Sequence, residues 1–215
     1  MRSLMTGTAG AALAGAGTTL VVCAMIIWAY DPGPQTRHMI LHIVSMNVVA
    51  PVLAAFIATR GGLINVRVSL FWTAAILQIV LLWVWHAPAV YNAITDLPAM
   101  QFALHVLLLL AALLFWTSLV TLSGARRWQA IPALLVTAKL VCLLAALLIF
   151  APRALYGTAG HAAHLTERLP GWHALDDQHL AGLLMIAACP LSYLVPAVII
   201  AVQLIRPRET AGATL

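Results

Sequence analysis

Charged side chains are the scarcest component of this sequence. Asp, Glu, Lys and Arg make up 8% of its 215 residues, whereas hydrophobic residues make up 63%. An average soluble domain carries about 25% charged residues. A chain of this length with so little charge cannot cover its surface with polar groups, which argues against an ordinary soluble domain. Lipid is therefore the expected solvent of the protein.

The sequence also lacks the short motifs of common enzyme chemistry. It contains no glycine-rich phosphate loop, no HExxH zinc motif and no pair of catalytic carboxylates. Its three cysteines, Cys23, Cys142 and Cys189, are scattered and form no CxxC pair. This spacing does not predict a disulfide framework. Each cysteine is expected to be a small buried hydrophobic residue, and no residue is assigned a catalytic role.

Long hydrophobic runs are what the sequence has in abundance. Six runs are long enough to cross a bilayer, which takes about 20 residues. Turn-forming stretches separate them, and a long loop, residues 152–176, precedes the last run. No repeat or soluble module is seen, so we predict one all-α integral membrane domain, residues 1–215, with six transmembrane helices. The predicted spans are residues 9–30, 36–58, 68–86, 99–122, 130–151 and 177–206.

Two features of these runs need an interpretation. The first run is too long for the apolar core of a typical signal peptide and precedes no clear cleavage site, so we expect a retained span. Proline interrupts the second run at Pro51 and the sixth at Pro190 and Pro196. We interpret these prolines as kinks within spans, which neighbouring helices can accommodate.

The arginines predict how the chain is oriented. Seven of the ten lie at the N-terminus, in the even-numbered loops or at the C-terminus, and three lie in the other loops. Because cytoplasmic loops are enriched in Lys and Arg, both termini are expected in the cytoplasm. The net charge of +5 reflects this topology and gives no reason to expect nucleic-acid binding.

All eight histidines fall on the predicted outer side or in the outer half of the membrane. They are His38, His42, His86, His105, His161, His164, His173 and His179. At a rise of about 1.5 Å per residue, His42 and His105 each lie about 10 Å below the outer surface. Met46 and Met185 lie slightly deeper, and Cys23 lies at a similar depth. Imidazole and thioether groups are therefore expected in one layer.

This layer has the ligand chemistry of a copper(I) site, because soft sulfur ligands suit copper(I) and imidazole suits several transition metals. The candidate metal-binding residues are His42, His105, His38, Met46, Met185, His86 and His179. We expect His42 and His105 to be the main ligands and His86, His173 and His179 to line the route of copper to them. In the alternative interpretation, the histidines are interhelical hydrogen-bond partners and the methionines fill the core.

The membrane depth of a few further polar residues can be predicted from their positions in the apolar runs. Lys139 lies near the middle of the fifth run, and Asn47 and Gln78 reach a comparable depth. A charge at the bilayer centre costs at least about 2.5 kcal/mol, so Lys139 is expected to face the protein interior and to have a partner. No carboxylate lies at this depth, which leaves three alternatives: a neutral lysine, a hydrogen bond to amide or backbone oxygens, or an acid of a partner protein. Asp176 and Asp177, at the start of the sixth run, could orient a ligand imidazole through a hydrogen bond.

Five sequence segments occur in an order, and at helix ends, that match a known family. They are "RHMILHIVSMNVVAPVLA", "LWVWHAPAVY", "FALHVLLLLAALLFW", "APRALYGTAG" and "GWHALDDQHLAGLLM". In these segments the chain resembles the CtaG family of cytochrome c oxidase assembly factors. The resemblance implies a polytopic membrane protein that supports copper insertion into haem–copper oxidases and is not an enzyme. The implied partners are cytochrome c oxidase subunits and a periplasmic copper chaperone.

The same resemblance marks individual positions. The family motifs fall on His38, Met39, His42, Trp85, His86, Pro88, Tyr91, His105, Asp177, Gln178, Gly182 and Met185. The chain departs from the family pattern at Ile186, where Trp often follows the methionine, and it lacks the Leu-Gly pair expected shortly after Pro51. These departures do not affect the histidines.

Two other functions remain open at this point. Paired histidines on two helices at equal depth also fit a b-type haem in a membrane electron carrier or quinone reductase. A metal-free scaffold for an oxidase subunit is the third interpretation, in which the histidines are hydrogen-bonded packing residues. Copper content and an optical spectrum distinguish the three.

Overall fold

The described part of the chain is entirely helical in its regular structure. The computed structural model describes residues 22, 25, 33–60, 67–94, 96–156 and 173–205, and these ranges contain no β-strand. Val22 and Met25 are helical and exposed. The rest of the first predicted span lies outside the described residues, as do both chain termini. The predicted all-α class is confirmed for the described ranges, whereas the first span and the cytoplasmic termini stay predictions.

Seven α-helices make up this part of the protein. They are α1 (Pro34–Val44), α2 (Ala50–Thr59), α3 (Val68–Trp85), α4 (Pro88–Ile94), α5 (Pro98–Thr121), α6 (Ala130–Phe150) and α7 (Ala174–Ile205). A π-helical turn, Ser45–Val49, joins α1 to α2, and a 3₁₀ turn, Gly124–Gln129, precedes α6. Because α1, the π turn and α2 are continuous, five helices are long and apolar enough to cross a membrane. They coincide with the last five predicted spans.

Proline sets the start of several helices. Pro34 and Pro98 occupy the first turn of α1 and α5, and Pro88 is the first residue of α4. The first turn suits proline because the amide N–H there has no helical acceptor and the fixed φ is already helical. The sequence did not predict α4, which is too short to appear as an apolar run. This short helix turns the chain between α3 and α5.

The π-helical turn is explained by Pro51 and completed by Trp116. The Ala50 N–H donates to the carbonyl of Ser45, one residue further back than in an α-helix. The Met46 carbonyl would then accept from residue 51, but proline has no N–H. The indole Nε1–H of Trp116 on α5 donates to the Met46 carbonyl instead, at 3.0 Å. A side chain from a neighbouring helix thus satisfies the backbone group that the proline leaves unpaired.

Small residues bring the helices together. Seven alanines among the described residues are 0% exposed: Ala50, Ala54, Ala74, Ala112, Ala130, Ala145 and Ala181. Gly182 on α7 lies so close to α6 that an added Cβ would be 2.8 Å from Ile149 and 3.2 Å from the Ala145 carbonyl. Helices in lipid gain little from hydrophobic burial, so close packing of small residues is a main source of their association. In this bundle α7 packs along α6 and against α1, while α5 packs against α2 and α3.

Replacing Trp116 by Phe tests the π-turn interpretation. Trp116→Phe keeps a buried aromatic ring but leaves the Met46 carbonyl without a donor, so we expect a loss of about 1–3 kcal/mol of stability. The measurement is the free energy of unfolding in detergent. Trp128→Phe is the matched control, because Trp128 is 57% exposed. Equal stability of the two variants would contradict the role assigned to Trp116.

Candidate functional site

Four histidines from three helices come together at one end of the bundle. His38 and His42 lie one turn apart on the same face of α1, His86 follows the last residue of α3, and His105 is two turns into α5. The ring centre of His38 is 6.3 Å from that of His42, 5.5 Å from His86 and 5.1 Å from His105. His42 is also 5.5 Å from His86. We call these four residues the histidine cluster.

Backbone hydrogen bonds fix the proton on two of the rings. Nδ1 of His86 lies 2.8 Å from the carbonyl of Leu82, and Nδ1 of His105 lies 2.8 Å from the carbonyl of Gln101. A carbonyl oxygen only accepts, so Nδ1 is the donor in both neutral rings. The lone pair of each ring is therefore on Nε2. Protein histidines that bind a metal through Nε2 commonly have this arrangement.

Four other ring nitrogens of the cluster, one on each histidine, have no protein partner among the described residues. Nε2 of His38, His86 and His105 and Nδ1 of His42 are buried, and no hydrogen bond to them occurs within the described part of the chain. His42 is 1% exposed. Leaving a buried polar atom unpaired is costly in an apolar medium. Four such atoms in one place make the cluster a candidate binding site.

The ring spacing fits a shared ion, but the cluster is not an assembled cage. Two imidazoles that bind one ion at about 2 Å, at a tetrahedral angle, have ring centres about 5 Å apart. The cluster distances of 5.1–5.5 Å are close to this value. Among the described residues, however, no group of three or more His, Cys, Asp or Glu is positioned to hold a metal ion. The described residues therefore form no assembled metal site, and the ring spacing by itself is compatible with an ion shared by two rings.

Aromatic rings enclose the cluster. The Trp85 ring centre is 4.3 Å from His105 and 4.7 Å from His38, and Tyr91 of α4 is 5.7 Å from His38. Tyr156 packs on Tyr91 at 4.9 Å, and its hydroxyl donates to the His86 carbonyl at 2.6 Å. Burial raises the pKa of Tyr91 to about 12 and raises the pKa of Tyr156 as well, so both hydroxyls stay protonated at neutral pH. These aromatic rings therefore pack around the cluster on this side.

Tyr156 was not singled out from the sequence. It belongs to the quoted segment "APRALYGTAG", but nothing in that pattern shows that a loop tyrosine reaches the end of α3, seventy residues earlier in the chain. Trp85 and Tyr91 did appear in a family motif. Their contacts with His38 give that motif a physical role, because they fix the position of the central ring of the cluster.

Asp177 holds the helix that carries His38 and His42. Its buried carboxylate accepts from the backbone N–H groups of Gln35, at 2.9 Å, and Thr36, at 3.1 Å, and from the Thr36 hydroxyl at 2.6 Å. These N–H groups belong to the first turn of α1, where backbone donors have no helical acceptor and the helix dipole favours a negative charge. The carboxylate thus serves the backbone of α1, whereas the sequence interpretation placed it beside an imidazole.

Gln178, the next residue, makes a second set of hydrogen bonds that hold α7 against its neighbours. Its side-chain N–H donates to the Leu148 carbonyl near the end of α6, at 3.0 Å, and its carbonyl accepts from the Leu155 N–H, at 2.7 Å. The side chain is fully buried. Asp177 therefore ties α7 to α1, and Gln178 ties α7 to α6 and to the segment that carries Tyr156.

The other predicted ligands lie in the π-helical turn after α1 or on α7. Met46 and Met185 are 2% and 0% exposed and belong to the hydrophobic core. His179 is half-buried on α7 with a buried Nε2 that has no partner in the described ranges. His173 is exposed. Their roles toward a metal stay predictions.

The three deeper polar residues, Asn47, Gln78 and Lys139, differ in their contacts. Asn47 donates to the sulfur of Cys189 at 3.3 Å and accepts from the Ser192 hydroxyl at 2.9 Å, and Gln78 donates to the Tyr193 hydroxyl at 3.1 Å. Lys139 is exposed on α6 rather than directed inward. Cys23, His161 and His164 lie outside the described residues.

Fold and site together define a class: a polytopic helical membrane protein that carries a buried, partly unsatisfied cluster of histidines. The family comparison gives this class a name. A model of the cytochrome c oxidase caa3 assembly factor family (Caa3_CtaG) matches residues 2–207, and the chain belongs to that family. The resemblance inferred from the five sequence segments is thus confirmed. No curated protein and no solved structure matches the chain significantly.

The anchor formed by Asp177 leads to a stability prediction. Asp177→Asn removes the charge and one acceptor, so some N–H groups at the start of α1 lose their partner. Hydrogen bonds to a charged group contribute about 1.5–3 kcal/mol, and we expect a loss of this size. Unfolding in detergent measures it, with Asp96→Asn as the control because Asp96 is exposed. An unchanged Asp177→Asn protein would show that α1 does not depend on this carboxylate.

Proposed function

We propose that this protein holds copper(I) at the histidine cluster and passes it to a cytochrome c oxidase during assembly of the enzyme. The family is one of oxidase assembly factors, and assembly of a haem–copper oxidase requires copper. The single observation that carries the copper step is the set of buried imidazole nitrogens without a protein partner. The protein acts as a carrier and not as a catalyst.

The imidazole rings of His86 and His105 are the two ligands with the best-defined orientation. His86 and His105 present Nε2 lone pairs whose orientation is set by the hydrogen bonds of Nδ1 to the backbone. His38 lies between them in contact with both rings, and His42 contacts His38 and His86. Copper is the cargo in this proposal, and a site with few ligands and no closed cage releases it readily.

Methionine sulfur offers a further interaction for the same cargo. Thioether ligands favour copper(I) over harder divalent ions. Met46 follows His42 by one turn of the chain, and Met185 lies on α7, two turns beyond Asp177 and Gln178. Both side chains are buried. In this proposal, a copper(I) ion that leaves the imidazoles toward the membrane interior binds next to one of these sulfur atoms.

The proposed location is a bacterial inner membrane, with the histidine cluster near the periplasmic face. The distribution of arginine supports this orientation. Copper would come from a periplasmic copper chaperone and leave to a cytochrome c oxidase subunit. Exposed apolar side chains on the outer faces of the helices fit membrane lipid.

Copper binding by the purified protein tests the proposal. We expect detergent-purified chain to bind about one copper(I) under reducing conditions, in competition with a coloured copper(I) chelator. His42→Ala together with His105→Ala should weaken binding by more than about 100-fold, because even changes to groups around a metal site cost about 10–100-fold. His173→Ala is the control, since His173 is exposed and has no ring contact with the cluster.

Other outcomes identify the competing functions. Equal copper affinity in the wild type and the double variant would rule out a site at these residues. A Soret band that shifts on reduction would indicate haem instead. No metal in either protein, combined with loss of oxidase in cells that carry the double variant, would support a scaffold whose histidines serve packing.

A further inference from the structure

A lysine lies on the exposed face of α6, near the middle of the membrane. Lys139 is the tenth residue of Ala130–Phe150, which places it about 14 Å along the axis from one end of the helix and about 16 Å from the other. Its side chain is exposed. A lysine near a helix end reaches water by extending its methylene groups, but four methylenes do not cover this depth.

The surroundings of Lys139 are apolar. Leu135, Val136, Leu143 and Leu147, one and two turns away on the same face, are 44%, 49%, 51% and 50% exposed. The opposite face of α6 carries the buried residues that pack on α7. Within the described part of the chain, Lys139 has no hydrogen bond and no ion pair. The surface is therefore a lipid-facing apolar stripe with one cation in it.

The chain's own carboxylates do not supply a counter-charge. The Asp177 carboxylate already accepts hydrogen bonds from backbone N–H groups at the start of α1. Asp176 accepts from the His173 N–H at the start of α7. Asp96 is exposed just before α5. The sequence places its other three acidic residues outside the apolar runs. An isolated cation at this depth is costly, and such residues normally have a partner.

We propose that the exposed face of α6 around Lys139 docks a transmembrane helix of an oxidase subunit that carries Asp or Glu near mid-bilayer. This inference deepens the proposed function, because it takes the oxidase to be the partner. Charge complementarity selects this occupant. The apolar run 9–30 contains no acidic residue, and a second copy of the chain would offer Lys139 no carboxylate at this depth. A carboxylate facing Lys139 would satisfy both charges in the low-dielectric interior.

Site-specific photo-crosslinking tests the docking surface. A photoreactive amino acid replaces Leu143, one turn from Lys139, in protein expressed with its oxidase in native membranes. Ile76 is the matched control, because it is 58% exposed and lies near the middle of α3. We expect position 143 to crosslink to a membrane span of an oxidase subunit that contains Asp or Glu, at least about tenfold more than position 76.

Charge variants show whether Lys139 carries the interaction. Lys139→Leu should reduce the crosslink at position 143 by about tenfold or more, since loss of one partner of a buried charge pair leaves the other charge unpaired. Lys139→Arg, which keeps the charge, should retain it. Lys139→Asp should lose it and regain it when the crosslinked partner acid is changed to Lys. An unchanged crosslink in Lys139→Leu would overturn the proposal, as would crosslinks only to residues 9–30, to a second copy or to lipid.

The copper measurement separates this inference from the proposed function. Lys139 does not contact the histidine cluster, so purified Lys139→Leu protein should bind copper(I) and unfold like the wild type. If the wild type binds copper but position 143 never reaches the oxidase, the docking surface is wrong and the copper site stands. If position 143 crosslinks to an oxidase span that contains Asp or Glu but the purified protein binds no copper, the docking surface is supported and the proposed copper cargo is wrong.

Discussion

The absence of water from the hydrocarbon interior controls the architecture of this protein. Each backbone and side-chain polar group in a span must find its partner within the protein. The Met46 carbonyl, freed by Pro51 and the π turn, receives the Trp116 indole N–H. The first N–H groups of α1 receive the Asp177 carboxylate. Both sets of hydrogen bonds join two different helices. They therefore satisfy backbone groups and at the same time fix the relative positions of the helices.

The histidine cluster is where this rule is relaxed. Around it several polar groups are satisfied: the Nδ1 atoms of His86 and His105 bond to the backbone of their own helices, and the Tyr156 hydroxyl donates to the His86 carbonyl. Four other ring nitrogens of the cluster, one on each histidine, are buried and have no partner in the described part of the chain. In the proposed function, these nitrogens are the ligands of a copper(I) ion that is bound transiently.

Lys139 is a further polar side chain without a partner in the described ranges, on the outer surface of the bundle. Its position differs from that of the cluster. The cluster lies in a protected interior, whereas Lys139 lies on an exposed helix face, within reach of another membrane-spanning segment. In the two proposals, the cluster binds the copper and the face around Lys139 binds the oxidase, so cargo and partner bind at separate places on the protein.

The lipid environment, the helical class and the five described spans could be predicted from the amino-acid sequence, and the bounds of the spans agree to within three residues. This was possible because the length of an apolar run is a local property set by bilayer thickness. All four cluster histidines could also be predicted as candidate ligands, since their depth follows from their distance to the helix ends. The short helix α4, the Tyr156 contact and the partners of Asp177 and Gln178 could not be predicted. These features, and the outward direction of Lys139, depend on how helices rotate and pack against one another. Several rotations of each helix are compatible with the same hydrophobic pattern, and contacts between residues distant in sequence select among them.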